Sequence, residues 1–174
     1  VSEDESFTIT STRVTFADSW NDTKSGDTAD ASDWFAHPDF SPATLESDVG
    51  LVYFDEALDF PAMQVTDVGP DDGDLGNEFR IVGYGLTGAD DLGENPTKRT
   101  ATAGLSDYDA NWLWMRDSAE ERQACFGDSG GPVLRLHEDG SYSQAGVTSW
   151  TTSCDSGATA SARIDAYLDF LDDN

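Results

Sequence analysis

The chain has 174 residues, of which 37% are apolar and 11% aromatic, so it can bury the core of one domain or of two small barrels. Its 35 acidic residues outnumber 9 basic ones and give a formal net charge of -26, which would repel nucleic acid and excludes it as a partner. Since no run of about 18 apolar residues is present, we expect no membrane-spanning helix.

The acidic residues are scattered rather than gathered into one block, which favours a solvated acidic surface over a disordered tail. Their mutual repulsion destabilises a compact fold at low ionic strength and is screened within about 10 Å at roughly 0.1 M salt. We therefore expect a halophilic protein from a saline habitat. A generic acidic secreted protein is an equally good interpretation.

Short runs rich in β-branched and aromatic residues follow one another along most of the chain. Clusters of Gly, Asp, Asn and Pro separate them, a pattern typical of an antiparallel all-β protein. In chain order, the predicted strands are 7–16, 49–54, 79–84, 112–115, 133–136 and 145–150. Asp139 and Gly140 lie between the last two as a hairpin signal. The acidic stretches 21–33 and 67–77 are interpreted as exposed connections. The loop 21–33 and the run 71–74 could hold calcium, but neither has EF-hand spacing and acidic loops are usually solvated, so no metal is assigned.

The pattern changes near the end of the chain. Ile164, Tyr167, Leu168 and Leu171 recur at helical spacing with aspartates between them, which predicts one amphipathic helix. The sequence therefore predicts a β-rich body that is closed by a single C-terminal helix.

The chain contains two cysteines, Cys125 and Cys154. They could be free thiols, a disulfide or half of a metal site, but their spacing matches no zinc pattern and both histidines lie far away in sequence. A bridge between residues 29 positions apart is the economical interpretation, and it implies an oxidising compartment.

The most informative stretch, 125–132, reads Cys-Phe-Gly-Asp-Ser-Gly-Gly-Pro. Its three glycines permit a tight turn and leave nothing to obstruct a substrate that approaches the Ser129 hydroxyl. A serine hydroxyl becomes a nucleophile when a base takes its proton, and the resulting oxyanion needs preorganised donors. The N–H groups of Gly127 and Ser129 could supply them. A flexible turn between two strands is the alternative interpretation.

This turn resembles the nucleophile motif of the trypsin and chymotrypsin family, in which a cysteine precedes the same Gly-Asp-Ser-Gly-Gly-Pro run. Further landmarks resemble the family's in the same order. Residues 47–52 resemble the segment that carries the triad aspartate, and residues 83–85 resemble the family's strand end with the pattern Gly-aromatic-Gly. Residues 146–150 resemble the strand that pairs with the substrate backbone. Cys154 then stands where the family's disulfide partner of Cys125 is expected.

The resemblance implies an all-β, chymotrypsin-like double β-barrel with a C-terminal α-helix, whose N-terminal barrel is incomplete here. Residues 1–63 would be the remnant of that barrel, and 64–174 the C-terminal barrel with the terminal helix. Asp48 would orient a catalytic histidine, and Ser129 would attack the peptide carbonyl. Taken alone, Asp48 could equally be a carboxylate at a strand edge.

The histidine that completes such a triad is missing from its expected place. In the family it lies about 45 residues before the aspartate, and counting back from Asp48 reaches only the first residues of this chain. His37 stands in a segment that resembles an exposed loop ahead of the aspartate strand, and His137 stands beside the predicted turn. We assign neither as the base, and we expect the chain to begin just after the place where that histidine belongs.

The resemblance also implies that activated members insert a new amino terminus beside the aspartate that precedes the nucleophile. Asp128 would lack this ammonium partner here. Because a buried carboxylate without a partner is costly, we expect the turn to be disordered or Asp128 to be protonated.

In the family, the residue at the base of the primary specificity pocket corresponds to Gln123. Since this side chain is uncharged, the resemblance does not support cleavage after basic residues. Ser149, Trp150, Thr151 and Thr159 would complete the substrate site, and the branched threonines would narrow its pocket toward small apolar side chains, as in elastases. Alternatively, both threonines are ordinary strand residues.

Three functions stay open. The first is a secreted, extracellular, monomeric serine endopeptidase without cofactor or metal, acting on proteins or peptides, of which this chain is an inactive portion without the histidine. The second is a pseudoprotease, a binding module that keeps the barrel and has lost catalysis. The third is a structural β-domain with a chance motif, and the ordered landmarks argue against it.

Overall fold

The computed structural model describes residues 11–24, 26–88, 90, 91, 93, 96–116, 123–155 and 157–174. Of the predicted strand at 7–16, residues 7–10 lie outside this set, and the remainder contains β1 (Arg13–Thr15). No helix in the described residues has the length and apolarity needed to cross a bilayer.

Two small antiparallel sheets come first. β1 pairs with β2 (Thr28–Asp30), and β3 (Asp33–Ala36) pairs with β4 (Gly50–Tyr53), which confirms the strand predicted at 49–54. Phe35 and Val52, on β3 and β4, are 41% and 42% exposed. These two-stranded sheets therefore bury little apolar surface of their own.

Six of the strands that the structure describes after residue 64 form an antiparallel barrel. In chain order its sheet contains β5 (Gln64–Val65), β6 (Glu78–Gly83), β7 (Arg99–Tyr108), β8 (Trp112–Arg116), β9 (Pro132–Leu136), β10 (Tyr142–Thr151) and β11 (Thr159–Arg163). The order around the barrel is β6-β7-β8-β11-β10-β9, and β9 pairs again with β6. β5 adds to β10 in parallel, outside the ring. Closure satisfies both edges of each barrel strand.

Side chains that alternate along these strands fill the barrel. Phe79 and Ile81 of β6 are buried together with Leu105, Leu113 and Met115 from β7 and β8. Since successive side chains of a strand point to opposite faces, every second residue reaches this core. Strands β6, β8, β9 and β10 confirm the predictions at 79–84, 112–115, 133–136 and 145–150, whereas β2, β3, β5, β7 and β11 were not predicted.

A second apolar group, here called the outer cluster, lies outside the barrel. It consists of Val49, Trp112, Ala160, Ala162, Ile164 and Tyr167. The 3-10 turn Ile164–Tyr167 leads into α1 (Leu168–Asp173), which confirms the predicted C-terminal helix. Because Val49 belongs to this cluster, the segment that carries Asp48 is packed against the barrel.

The acidic stretches are more ordered than the sequence predicts. The first contains β2 and most of the 3-10 turn Trp20–Asp22, and the second contains the 3-10 turn Asp72–Asp74. Asp71 accepts a hydrogen bond from the Gly73 N–H at 2.7 Å, and Asp74 accepts from the Asp71 N–H at 3.0 Å, which caps the second turn. Asp74 also accepts from the Arg135 guanidinium at 2.6 Å and is 5% exposed, so it is not a solvated loop residue.

Candidate active site

Ser129 lies at an exposed turn that leads into β9. The turn is fixed to the barrel because the Gly130 N–H donates to the Thr148 carbonyl at 2.8 Å and the Gly131 N–H donates to the Asp128 carbonyl at 2.9 Å. Gly127 has a φ of 96°, a conformation that favours glycine. The hydroxyl is therefore displayed on a hydrogen-bonded support, in agreement with the sequence prediction of a presented serine.

Asp48 follows an unusually tight loop. Leu45 and Ser47 have φ values of 60° and 56°, which are uncommon for residues other than glycine. The loop is held by hydrogen bonds from the Leu45 N–H to the Ser41 carbonyl at 2.7 Å and from the Val49 N–H to the Ser47 carbonyl at 2.8 Å. Such backbone persists where the surrounding structure holds it, and here Leu45 and Val49 both pack in the outer cluster.

One residue connects Asp48 with Ser129. The Ser149 hydroxyl donates to Asp48 Oδ2 at 2.6 Å, and the Ser149 carbonyl accepts from the Ser129 hydroxyl at 3.3 Å. Ser149 lies on β10 and is 8% exposed. Although Asp48 and Ser129 are remote in sequence, both therefore meet the same residue of one barrel strand.

Asp128 is bound by main-chain donors. Its Oδ1 accepts from the Gly85 N–H at 2.8 Å and its Oδ2 from the Cys125 N–H at 2.8 Å. A methyl group on Gly83 would stand 2.0 Å from Asp128 Oδ1, so the carboxylate occupies the space that a larger residue would fill. The sequence predicts a carboxylate without a partner at this position, and the structure gives it two peptide N–H donors.

Two N–H groups were predicted to stabilise an oxyanion, those of Gly127 and Ser129. In the part of the chain that the structure describes, neither donates a hydrogen bond to a protein acceptor. Cys125, just before them, forms a disulfide with Cys154, which confirms the predicted bridge. The bridge ties the Ser129 turn to the loop between β10 and β11.

The predicted specificity residues lie close together. Thr151 and Thr159 are paired across β10 and β11, and the Thr159 hydroxyl accepts from the Ala124 N–H at 3.0 Å. Thr159 is fully buried. Gln123 donates to the Ser153 carbonyl and lines a cavity of about 280 Å³ that it shares with Asp128 and the disulfide. Trp150, next to Ser149, packs edge-on against Trp114 with ring centroids 5.2 Å apart.

Both histidines contact residues other than Asp48, Ser149 and Ser129. The His37 ring packs against Tyr167 and Phe170, with centroids 5.2 and 4.8 Å away, and its Nδ1 accepts from the Asp39 N–H at 3.1 Å. His137 Nε2 shares a hydrogen bond with the Ser143 hydroxyl at 2.8 Å. Among the described residues, no hydrogen bond joins either imidazole to Asp48 or Ser129.

The loop that follows β6 is joined to the Ser129 turn and carries one aspartate with a lowered pKa. The Leu86 N–H donates to the Phe126 carbonyl at 2.9 Å, which joins this loop to the Ser129 turn. Further along it, hydrogen bonds from Thr87 and Gly93 lower the pKa of Asp91 below its ordinary value. Asp91 therefore keeps its charge to lower pH than a solvated aspartate.

Sequence reasoning missed two features of this site. It assigned Ser149 to substrate binding, whereas the structure also makes its hydroxyl the donor to Asp48. It gave no role to Phe126, whose large apolar side chain is 69% exposed three positions before Ser129. The sequence did contain a signal for Phe126, because it is a large apolar residue within a polar, glycine-rich turn.

Comparison with known proteins agrees with the geometry. The family model named Trypsin matches residues 2–171. Chymotrypsin-like elastase family member 3B from Homo sapiens is 27% identical over 164 residues, covering 82% of this chain and 60% of the relative. Serine proteinase stubble from Drosophila melanogaster is 25% identical over 136 residues, covering 68% of this chain and 17% of the relative. The chain thus spans less than two thirds of the length of either relative, and the family match over nearly all of its residues shows that it belongs to the trypsin family.

Proposed function

We propose that this chain carries the nucleophile, the oxyanion donors and the aspartate of a serine endopeptidase that forms an acyl-enzyme on Ser129. The hydrogen-bonded path from Asp48 through Ser149 to Ser129 carries the proposal. It is supported by the two N–H groups of Gly127 and Ser129, which are available to a ligand oxygen. No other serine of the described chain combines an exposed hydroxyl, a glycine-rich turn and such donors.

The reaction assigns one task to each group. Ser129 Oγ attacks the carbonyl carbon of the peptide while an imidazole takes its proton, and the carbonyl oxygen becomes an oxyanion facing Gly127 and Ser129. The imidazolium then gives the proton to the leaving amine as the C–N bond breaks. Water hydrolyses the remaining ester by the same steps in reverse roles. Asp48 orients the imidazole and stabilises its positive charge.

The imidazole must come from outside these 174 residues. His37 and His137 are the two histidines of the chain, and both are held by other partners. We therefore propose that the chain alone is inactive, and that a histidine elsewhere in the complete protein inserts between Asp48 and Ser129. Displacing the 3.3 Å contact between Ser129 and the Ser149 carbonyl would cost little, because it is long for a hydroxyl hydrogen bond.

The specificity proposal is a preference for small apolar or otherwise uncharged side chains. It is supported by the neutral Gln123, which lines the cavity, and by the resemblance that puts Thr151 and Thr159, both larger than glycine, at the pocket walls. We propose further that residues 1–63 and 64–174 are separate units, since β5 at Gln64–Val65 is the first strand that joins the barrel sheet. The disulfide and acidic surface are consistent with a secreted, monomeric protein that works in saline surroundings.

Labelling with a fluorophosphonate tests the catalytic proposal, because only an activated serine reacts quickly. The protein made from its complete coding sequence should label, and the Ser129→Ala variant should not. The 174-residue chain should label about 100- to 10,000-fold more slowly, which is the contribution that a general base typically makes. Equal labelling of the complete protein and its Ser129→Ala variant would place the reactive group elsewhere and refute the assignment.

A pseudoprotease is the second candidate, and the positions of His37 and His137 favour it. If no other histidine reaches Asp48, the same fold would display the Ser129 turn as part of a protein-binding surface. The labelling experiment separates the two candidates: a folded complete protein that does not react supports the binding module.

A further inference from the structure

The turn between β1 and β2 carries a modification motif that the catalytic proposal does not use. Asn21, Asp22 and Thr23 form an Asn-X-Thr sequence, the acceptor pattern for N-linked sugar. All three side chains are exposed, on or just after the 3-10 turn Trp20–Asp22. The motif is therefore accessible in the folded protein.

Few asparagines of this chain fit the acceptor pattern. Asparagine stands at five positions, and only Asn21 and Asn95 have a threonine two residues later. Proline at the middle position, as in Asn95-Pro96-Thr97, prevents transfer of the sugar, whereas Asp22 permits it. The sequence thus offers one acceptor.

The turn is also held in place. The Trp20 N–H donates to the Pro96 carbonyl at 3.0 Å, and Ser19 forms a β-bridge with Thr97. The Thr23 hydroxyl donates to the Trp20 carbonyl at 2.8 Å, so Thr23 stays beside Asn21 on the same turn. The Trp20 side chain is 58% exposed, which is unusual for an indole on so polar a surface.

We propose that Asn21 is N-glycosylated and that the sugar covers Trp20. A glycosyltransferase of the oxidising compartment would use an oligosaccharide on a lipid phosphate or diphosphate as donor. The bond from the sugar C1 to the phosphate oxygen breaks, a bond from C1 to Asn21 Nδ2 forms, the amide loses one proton and the lipid phosphate leaves. The Cys125–Cys154 disulfide indicates exposure to a compartment of that kind.

Peptide mapping of the protein from its source organism tests this inference. The peptide with Asn21 should carry hexose-containing mass, while peptides with Asn77 and Asn111 should not. Thr23→Ser should keep the modification because it preserves the motif, and Thr23→Ala and Asn21→Gln should abolish it. Tryptophan fluorescence of the wild-type protein should shift on enzymatic removal of the sugar and stay unchanged in Asn21→Gln.

An unmodified Asn21 peptide from the source organism would overturn the proposal, and so would sugar that persists in Asn21→Gln. Neither outcome depends on catalysis, since Asn21 lies on the 3-10 turn between β1 and β2, and Ser129 lies on the turn that leads into β9. Fluorophosphonate labelling of Ser129 should be the same in Asn21→Gln and wild type. The two proposals can therefore fail separately.

Discussion

The two halves of the candidate site are supported very differently. The Ser129 turn rests on a closed barrel, with hydrogen bonds to β10, a disulfide at Cys125 and two N–H donors on Asp128. Asp48 precedes a strand of a two-stranded sheet whose Phe35 and Val52 are about two-fifths exposed. It reaches the barrel through the Ser149 hydroxyl and the neighbouring Val49.

In the proposed mechanism, the barrel side would hold the Ser129 hydroxyl in place, and the Asp48 side would help to activate it. The barrel by itself can fix Ser129 and the two N–H groups that we propose as oxyanion donors, because all of their supports lie between 83 and 154. The proposed orientation of a base depends on the Asp48 segment, which reaches the barrel through the Ser149 hydrogen bond and through Val49. Changes on the barrel side should therefore damage stability and site together, and changes at the link should loosen the Asp48 side alone.

The largest expected effect comes from filling the space beside Asp128. In Gly83→Ala, the new methyl group would stand 2.0 Å from Asp128 Oδ1 and force the carboxylate out. Overpacking of this kind costs about 1–3 kcal/mol, and we expect that loss in the free energy of unfolding measured with urea. Fluorophosphonate labelling of the complete protein should fall as well, because Asp128 adjoins Ser129.

Gly104→Ala is the matched control for this prediction. Gly104 also lies in a barrel strand, but its added methyl group would meet the Arg116 carbonyl at 3.6 Å, an ordinary contact. Since alanine restricts the unfolded chain more than glycine, the control should be neutral or slightly stabilised. Equal losses in the two variants would show that the Asp128 contact has no special importance.

Features that depend on a local run of residues could be predicted from the sequence, and features that depend on packing could not. The Ser129 turn and the disulfide follow from a local run and two cysteines, and β6, β8, β9 and β10 carry bulky apolar residues. β7 was missed because it is built largely from Thr, Ala, Gly and Ser, and yet Ala103 and Leu105 are in the core. Small residues there are selected by packing, which local propensity does not register.

Contacts between distant segments were beyond sequence reasoning. The hydrogen bond from Ser149 to Asp48 joins residues 101 positions apart, so nothing local indicates it. The main-chain donors to Asp128 were likewise not predictable, because peptide N–H groups are uniform along the chain and become visible as donors only in the fold.

Ser149→Ala tests the link between the halves. Removing the hydroxyl leaves the Asp48 carboxylate without this donor, and the loss should be about 1–2 kcal/mol in the free energy of local opening of the β3–β4 sheet. Hydrogen exchange should speed up at the amides of β3 and β4 and stay unchanged in the barrel strands. Uniform acceleration across all strands would contradict the view that this contact anchors one side.

Ser161→Ala provides the comparison, because Ser161 is a fully buried serine whose hydroxyl has no hydrogen-bond partner in the described part of the chain. Replacing an unsatisfied buried hydroxyl should leave stability unchanged or raise it. If both serine variants lose equal stability, packing and not the Asp48 hydrogen bond accounts for the effect.

The smallest effect is expected on the barrel side, at the β9–β10 turn, and it depends on pH. Hydrogen bonds from the Ser141 hydroxyl at 2.6 Å and the Ser141 N–H at 2.9 Å hold the pKa of Asp139 below its ordinary value. A depressed folded-state pKa contributes stability above the unfolded value, and that stability is lost as pH falls through the folded pKa. Asp139→Asn should therefore melt at a slightly lower temperature than wild type at neutral pH and at the same temperature in acid.

A difference that persists below both pKa values would mean that the asparagine disturbs the turn and that charge is not the cause. Because Asp139 is fully exposed, high salt should shrink the neutral-pH difference, whereas the Gly83→Ala loss, which is steric, should not change with salt.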